Sequence, residues 1–298
     1  MRDLGVSPLG LGTMSLTGRG TWGEPADPAA ARALVRRAAD LGIELFDTAD
    51  SYGPEVAESL VRDALHPYDG LLVATKGGFR RDGPHEWRAD CRPESLRAAC
   101  EASLRRLDVE RIDLYQLHLV DPRVPLEESV GALVELQEQG KVQHIGVCNV
   151  DLGQLERARR VAEVISVQNR LSLAERSSLG VLDRCVEAGI AFIAWAPLAK
   201  GFLSGESGAL ADVARAHDAT PAQVALAWLR RRGALAIPGT TSVSHLEENA
   251  GSLAVELTDG EARSLEGDPL LGYRARRLAR KARVRAGRIK AGVRRVGR

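Results

Sequence analysis

Residues 112–147, IDLYQLHLVDPRVPLEESVGALVELQEQGKVQHIGV, contain the unit that decides the fold. The apolar runs at 112–118 and 142–147 are typical of buried strands, and the amphipathic segment 126–139 between them predicts a helix. Two neighbouring parallel strands need such a crossover, because a short turn joins only antiparallel ones. The segment therefore predicts an α/β protein with a parallel sheet.

The same strand–helix pattern recurs along the chain. Further strands are predicted at 9–14, 43–48, 71–76, 164–169, 190–197 and 234–239. Further helices are predicted at 28–41, 55–65, 93–107, 151–161, 177–188, 220–232 and 244–253. Eight such units in about 250 residues favour a closed (β/α)8 barrel, the TIM barrel, in a single domain over residues 1–266.

An open, doubly wound sheet is the rival architecture. Its one cue is Gly10-Leu11-Gly12 after the first strand, which resembles the start of a dinucleotide-binding fingerprint. The third glycine of that fingerprint would fall on Ser15, and the following residues 16–28 have the composition of a loop. The fingerprint needs a helix at that point, so this interpretation is set aside.

Composition excludes several classes of protein. The chain has 298 residues, of which 44% are hydrophobic and 27% charged, with a net charge of +1. It has no run of about 18 uncharged apolar residues and no secretory signal, so neither a membrane span nor export is expected. The four cysteines form no Cys-x-x-Cys pair. We therefore predict a cytoplasmic protein without a metal site.

The balanced charge hides a basic C-terminal tail, residues 267–298. Its last 25 residues contain 12 lysines and arginines and no acid. Residues 1–273 contain the remaining 29 basic residues and all 40 acidic ones, which gives them a net charge of −11. A solvated, disordered extension is the commonest form of such a run. A basic helix on an acidic or membrane surface is the second interpretation, and nucleic-acid binding, which lacks aromatic residues here, is the third.

Polar residues gather where the predicted strands end. They are Asp47, Lys76, His118, Asn149 and Gln168. In a barrel the carboxyl ends of the strands meet at one face, which is the catalytic face. Tyr52 follows Asp47 by five residues, and the Lys76 ammonium is the cation that would lower its phenol pKa. Asp47 would hold that ammonium, and His118 would orient a carbonyl oxygen, which suits delivery of a proton to a carbonyl as hydride arrives at its carbon.

Six ordered motifs carry a family resemblance. They are FDTADSYG, VATKGG, LYQLHLVDP, GKVQHIGVCN, VQN and IPGTTSVSHLEEN. Together they resemble the aldo-keto reductases across residues 5–265, most nearly the bacterial pyridoxal-reductase-like branch. The resemblance implies a (β/α)8 barrel, a nicotinamide cofactor and a catalytic tetrad of Asp47, Tyr52, Lys76 and His118.

The resemblance also implies a set of cofactor contacts. Cys148, Asn149 and Gln168 would hold the carboxamide, and Trp195 would stack on the nicotinamide ring. The remaining contacts are Gly12, Thr13 and Asp47 near the barrel mouth, Ala196, Pro197, Leu198 and Lys200 along the pyrophosphate, Gly239, Thr240 and Thr241 at the adenosine phosphate, and Glu248 and Asn249 at the adenine.

The sequence departs from the family pattern at four positions. Cys148 replaces a serine, and Leu171 replaces an aromatic residue. Gly239 and His245 stand where many members place Lys and Arg against the 2′-phosphate. NADPH is the expected cofactor, with NADH possible.

The predicted activity is reduction of an aldehyde or ketone by an NAD(P)H-dependent oxidoreductase. The alternatives are a cofactor-sensing regulatory barrel with little turnover and an unrelated barrel lyase or isomerase. Trp22 and Trp87, in the predicted loops after the first and third strands, would wall the substrate pocket, although packing tryptophans fit the same positions. The expected partner is a small carbonyl compound, with no nucleic acid.

Overall fold

The computed structural model describes residues 5–199 and 208–268. Its strands, in chain order, are β1 (Gly10–Gly12), β2 (Leu45–Asp47), β3 (Leu72–Gly77), β4 (Phe79–Gly83), β5 (Glu86–Ala89), β6 (Ile112–Leu117), β7 (Val142–Cys148), β8 (Val164–Arg170), β9 (Ala191–Trp195) and β10 (Ala234–Ala236). All but β4 and β5 pair in parallel, in chain order, in one sheet. These eight strands are the eight that the sequence predicts.

The sheet closes into a barrel where its first and last strands meet. Leu9 forms a parallel bridge with Ala236, whose amide donates to the Pro8 carbonyl oxygen at 3.0 Å. On the same seam the Gly12 amide donates to the Pro238 carbonyl oxygen at 3.3 Å. The predicted (β/α)8 barrel is therefore confirmed.

Helices surround the barrel and alternate with its strands. They are α1 (Pro28–Asp40), α2 (Val56–Leu65), α3 (Pro93–Leu107), α4 (Leu126–Glu138), α5 (Leu152–Arg159), α6 (Leu179–Ala188), α7 (Ala209–Ala216), α8 (Pro221–Arg231), α9 (Val243–Gly251) and α10 (Asp259–Gly267). The predicted helices are present, and α7 and α10 are additional. Side-chain caps fix several starts: Asp27 accepts from the Ala30 amide at 2.9 Å, and Thr220 forms a capping box with Gln223.

Two layers of apolar side chains form the core. The larger layer lies between the strands and the helices and includes Val35, Phe46, Leu133 and Trp228. The smaller layer fills the barrel and is formed by Leu45, Ala74, Leu114, Ala191, Ile193, Leu235 and Ile237. Side chains alternate across a strand, so Ala74 and Lys76 point into the barrel while Thr75 points outward to the helices. The apolar layer thus supports a layer of polar side chains above it.

The structure corrects three sequence predictions. The first strand ends at Gly12 rather than residue 14, because Met14–Leu16 turn into a 3-10 helix. The helix predicted from residue 244 begins at Val243, with Ser242 as its cap. The loop predicted after the third strand contains an antiparallel hairpin, so Trp87 lies in β5 rather than in a loop. Hairpin strands that pack on the barrel mouth instead of the core do not need the apolar pattern from which strands are read.

Some predictions fall on residues outside the described ranges, namely Lys200 and most of the basic tail. Within the described residues, no helix is long and apolar enough to cross a membrane.

Candidate active site

A buried ion pair lies at the carboxyl end of the barrel. The Lys76 ammonium at the end of β3 donates to Asp47 Oδ2 and to the Thr48 carbonyl oxygen, both at 2.8 Å. Lys76 is fully buried and Asp47 is 2% exposed. Burial has the largest single effect and opposes the charged form of Lys76. The charge of Asp47 and its hydrogen bond, together with Tyr52 and Cys148, outweigh burial, so the pKa of Lys76 is raised. Lys76 is therefore a fixed cation at neutral pH.

Tyr52 lies directly above this cation. Its hydroxyl oxygen is 3.5 Å from Lys76 Nζ, and its side chain is buried. The turn that carries it is held by hydrogen bonds from the Tyr52 amide to the Ala49 carbonyl oxygen and from the Glu55 amide to the Asp50 carbonyl oxygen. Gly53 follows with φ +97°, where a Cβ would lie 2.5 Å from that of Val56, so the turn requires glycine.

The sequence predicts that Lys76 lowers the pKa of Tyr52, and the structure changes this picture. Burial of the phenol raises its pKa to about 12, and the nearby Lys76 charge, which acts downward as predicted, offsets only part of that effect. In this structure Tyr52 is therefore a neutral phenol at neutral pH. A neutral phenol beside a cation is the protonation state that a proton donor needs.

His118 completes the predicted tetrad. It follows β6, and its ring lies edge-on to the Tyr52 ring at 5.7 Å between centroids. Burial, followed by the Lys76 charge, lowers the pKa of His118 well below its usual range, so the imidazole is neutral. Its Nδ1 atom is buried without a hydrogen-bond partner among the described residues. The structure thus places all four predicted side chains around one point.

A chain of hydrogen bonds connects the tetrad to the predicted carboxamide site. Gln168 Nε2 donates to Asp47 Oδ1 at 2.7 Å. The Asn149 side chain donates through Nδ2 to the His118 carbonyl oxygen at 2.9 Å, and its Oδ1 accepts from Trp195 Nε1 at 3.0 Å. Cys148 is buried, and its Sγ lies 3.7 Å from Gln116 Oε1.

Two residues in this region have left-handed backbones. Asn149 has φ +57° and Ala196 has φ +51°, directly after β7 and β9. Residues other than glycine rarely adopt this conformation, and such strain gathers at functional sites. Both positions belong to the predicted cofactor set.

The predicted phosphate side lies across the barrel seam from Asp47. Thr13 donates through its hydroxyl to the Asp47 carbonyl oxygen at 3.0 Å, and a Cβ at Gly12 would lie 2.9 Å from the Ile237 carbonyl oxygen. A Cβ at Gly239 would meet the Gly12 carbonyl oxygen at 3.0 Å. Thr240 is buried, and its carbonyl oxygen accepts from Ser15 Oγ at 3.4 Å. These residues therefore form one strip.

The remaining predicted contacts are less closely joined to the tetrad. Thr241 is exposed and precedes the Ser242 cap of α9. Glu248 and Asn249 lie on α9, where the Glu248 carbonyl oxygen accepts from Gln223. Pro197 and Leu198 follow Trp195 within the described residues. Within the described part of the chain, no hydrogen bond or ring contact links any of these five residues to Tyr52 or His118, so their assignment stays a prediction.

Aromatic side chains from the hairpin wall the open side of Tyr52. The Trp87 ring lies 6.4 Å from the Tyr52 ring, and the Phe79 ring lies 4.8 Å from the His118 ring. Trp22 lies farther out and forms a backbone bridge with Gly53. The sequence prediction includes both tryptophans but misses Phe79, whose place follows VATKGG directly in the chain.

A second charged cluster lies outside the barrel, behind Lys76. Thr75 Oγ1 donates to Glu58 Oε1 at 2.6 Å, and Arg106 Nε donates to Glu58 Oε2 at 2.5 Å. Asp50, two residues before Tyr52, is half-buried, and its Oδ1 atom is enclosed without a hydrogen-bond partner among the described residues. Burial and then the Glu58 charge raise the pKa of Asp50 to about 8.

This pKa predicts a pH dependence of stability. The pKa of Asp50 is raised above its unfolded value of 3.8, so the folded chain holds a proton that the unfolded chain releases. The free energy of unfolding should fall as pH rises from about 4 to about 8, by at most about 1.4 kcal/mol per pH unit for this one proton. Asp50→Asn should remove this contribution.

The test compares urea unfolding of the wild type and Asp50→Asn at pH 5.5 and pH 8.5. At the higher pH the variant should gain stability relative to the wild type, because only the wild type must then bury an ionised carboxylate. If the free energies of unfolding of the variant and the wild type differ by the same amount at both pH values, Asp50 does not titrate in this range.

Comparisons with known proteins identify the family of this chain. The family model described as "Aldo/keto reductase family" matches residues 8–267. An uncharacterized oxidoreductase of Schizosaccharomyces pombe is 43% identical over 86% of this chain and 84% of its own length. Pyridoxine 4-dehydrogenase of Escherichia coli is 40% identical over 88% of this chain and 94% of its own length.

A solved structure extends the comparison. The crystal structure of an aldo/keto reductase from Klebsiella pneumoniae in complex with NADP and acetate superposes with a TM-score of 0.75 at 29% identity, over 88% of this chain and 90% of that one. The family model covers well over half of the chain, and the barrel and the curated relatives agree with it. This protein is a member of the aldo/keto reductase family of oxidoreductases.

Proposed function

We propose that this protein is an NADPH-dependent reductase of aldehydes or ketones, with Tyr52, Lys76, Asp47 and His118 as its catalytic tetrad. The observation that carries the proposal is the buried Asp47–Lys76 pair beneath a neutral Tyr52 phenol, with a neutral His118 beside it. Such a set is electrically neutral before the reaction, and the Lys76 cation can stabilise the phenolate that remains once Tyr52 has given its proton to a carbonyl oxygen.

The residues around the barrel mouth fit a nicotinamide cofactor. The Trp195 side chain offers a ring at the end of β9, bonded to the amide group of Asn149, and Gln168 offers a second amide group beside Asp47. The close approach of Gly239 to Gly12 leaves no room for a side chain, and Thr240 and Ser242 place hydroxyl groups at the start of α9 for a phosphate. The bound cofactor would supply the hydride.

Each tetrad residue then has one task. Tyr52 donates its hydroxyl proton to the carbonyl oxygen of the substrate as that oxygen gains charge. Lys76, 3.5 Å away, stabilises the phenolate that remains. Asp47 holds the Lys76 ammonium in place, and His118 orients the carbonyl oxygen by a hydrogen bond from its neutral ring.

The test measures turnover of NADPH with a panel of aromatic and aliphatic aldehydes, ketones and keto-sugars. The absorbance of the reduced nicotinamide reports the rate. Pyridoxine with NADP+ belongs in the panel, because a relative of 40% identity is named for its dehydrogenation. Binding of NADPH without turnover of any compound would favour a cofactor-sensing barrel. Absence of NADPH binding would favour an unrelated barrel chemistry.

Discrimination between the two cofactors should be modest. Gly239 and His245 lack the strong cations that would pair with the 2′-phosphate. One missing charged contact corresponds to about 1.5–3 kcal/mol, or roughly 10- to 150-fold in affinity. Dissociation constants measured by quenching of tryptophan emission should therefore favour NADPH by well under a thousandfold.

His245→Arg is the matched variant for this measurement. His245 is exposed, and its backbone rather than its side chain donates to the Ser242 cap. The arginine should tighten NADPH and leave NADH unchanged. A preference above a thousandfold in the unaltered protein would mean that other residues bind the 2′-phosphate.

We also propose that the basic tail lies outside the barrel domain. The family model ends at residue 267, and α10 ends there too. A chain shortened to residues 1–272 should keep its turnover number while its salt-dependent self-association or surface binding changes. Loss of turnover with the unfolding curve unchanged would mean that the tail takes part in the active site.

A further inference from the structure

The β4–β5 hairpin has two different faces. Its register pairs Phe79 with Ala89 and Arg80 with Arg88. Phe79 and Trp87 contact each other at 5.2 Å between ring centroids and face His118 and Tyr52. Arg81 shares this inner face, because its guanidinium lies 3.8 Å from the Trp87 ring centroid. Arg80 lies on the other face and is exposed.

Arg81 joins the hairpin to two other loops through backbone carbonyl oxygens. Its Nη1 donates to Ser51 at 2.7 Å, in the turn that carries Tyr52, and its Nη2 donates to Gly20 at 3.1 Å, in the loop after β1. Its Nε donates to Glu86 at 2.9 Å within the hairpin. Among the described residues no carboxylate pairs with Arg81, so its donors serve these carbonyl groups.

The three segments also touch each other around this guanidinium. The Gly23 amide donates to the Gly53 carbonyl oxygen at 2.6 Å, and the His85 amide donates to the Gly20 carbonyl oxygen at 3.3 Å. Gly20 has φ +81°, and a Cβ there would lie 2.9 Å from His85 Nε2. The Trp22 ring centroid lies 5.7 Å from the guanidinium, on which Trp87 also packs.

Within the described residues, the other polar attachments of the hairpin to the barrel lie at its base. There the Asp90 amide donates to the Gly78 carbonyl oxygen at 2.8 Å, and Arg123 Nη2 donates to the Ala89 carbonyl oxygen. Farther out, the rings of Phe79 and Trp87 contact His118 and Tyr52. The Tyr52 turn, by contrast, has its own backbone bonds and the contact with Lys76. Loss of Arg81 should therefore release the hairpin far more than it displaces Tyr52.

We propose that Arg81 is a positioning residue that clamps the β4–β5 hairpin to the loops after β1 and β2, and thereby fixes Phe79 and Trp87 as the wall of the substrate pocket. The proposal rests on the proposed reductase function for its kinetic consequence only. The guanidinium is essential to it, because its fork of N–H donors reaches carbonyl groups on three segments at once, which the single ammonium of a lysine cannot do.

The kinetic test uses Arg81→Gln and Arg81→Lys with any carbonyl substrate that the wild type reduces. Both variants should raise KM by about 10-fold or more, since each loses hydrogen bonds from a charged donor. The turnover number should fall much less, and the dissociation constant for NADPH should not change. Arg80→Gln, the neighbour on the outer face, is the matched control and should leave all three values as they are.

A second measurement is independent of catalysis. Hydrogen exchange of the backbone amides at 79–89 should become faster in both Arg81 variants and stay unchanged in Arg80→Gln, while exchange in β6 and β7 stays slow in every variant. This result would support the clamp even if the wild type reduces no carbonyl compound, in which case the proposed function fails and the clamp does not.

Three outcomes would overturn the inference. Unchanged KM and unchanged exchange in Arg81→Gln would show that the hairpin stands without this residue. An Arg81→Lys variant with the wild-type KM and the wild-type exchange rates would show that only a positive charge is needed. Faster exchange throughout the barrel would show a general loss of stability instead of a released hairpin.

Discussion

Tyr52→Phe is expected to abolish most of the carbonyl reduction while leaving the protein folded and able to bind its cofactor. The change removes the hydroxyl that lies 3.5 Å from Lys76 Nζ but keeps the ring that packs against His118 and Trp87. A positioned acid contributes roughly 10²–10⁴-fold, so the turnover number should fall by at least that range.

The measurement is steady-state kinetics of Tyr52→Phe beside a binding titration with NADPH. An unchanged dissociation constant excludes a general disturbance of the site. If the variant reduces its substrate at close to the wild-type rate, Tyr52 is not the proton donor, and the four side chains are a structural polar cluster.

Lys76→Met is expected to reduce the activity by a similar factor and, unlike Tyr52→Phe, to destabilise the protein. The ammonium is the partner of Asp47 Oδ2 and of the Thr48 carbonyl oxygen, so its removal strands a buried carboxylate. Breaking a buried pair in this way costs about 3–5 kcal/mol. Urea unfolding measures this loss, and single-turnover kinetics measures the loss of activity.

Two double variants separate the roles of this lysine. Asp47→Asn combined with Lys76→Met removes both charges and should recover part of the stability without recovering the activity. Tyr52→Phe combined with Lys76→Met should be little worse in rate than either change alone, because the two residues act as one unit. Multiplied losses in that second variant would contradict a shared role in proton transfer.

The fold follows from local patterns that are present in the sequence. The strands are short apolar runs, and the helices carry their own start signals, such as Asp27 before Pro28 and Thr220 before Pro221. Even α10, which the sequence prediction omits, has the capping pair Thr258 and Glu261. The missed helix thus had a readable signal.

The surroundings of the candidate site depend on contacts between distant segments. The upward shift in the pKa of Tyr52 results from burial under residues that lie far apart in the chain. Asp50 meets Glu58 and Arg106 only because α2 and α3 pack behind β3. The hairpin is held by an arginine whose acceptors are backbone carbonyl groups. Any residue type can supply such an acceptor, so the sequence does not reveal it. No pattern in the sequence encodes these three features.

The seam between β1 and β10 should be the part of the barrel sheet that opens most easily. Both strands are three residues long, and within the described part of the chain their seam is held by the bridge of Leu9 with Ala236 and by two backbone hydrogen bonds. Local opening of a sheet is easiest where the fewest hydrogen bonds must break, so this edge should part before any other. Gly12 and Gly239 lie on its two sides. A dinucleotide in contact with both glycines would join the two sides of this seam. Its binding would therefore oppose local opening of the seam, which is the first step of unfolding.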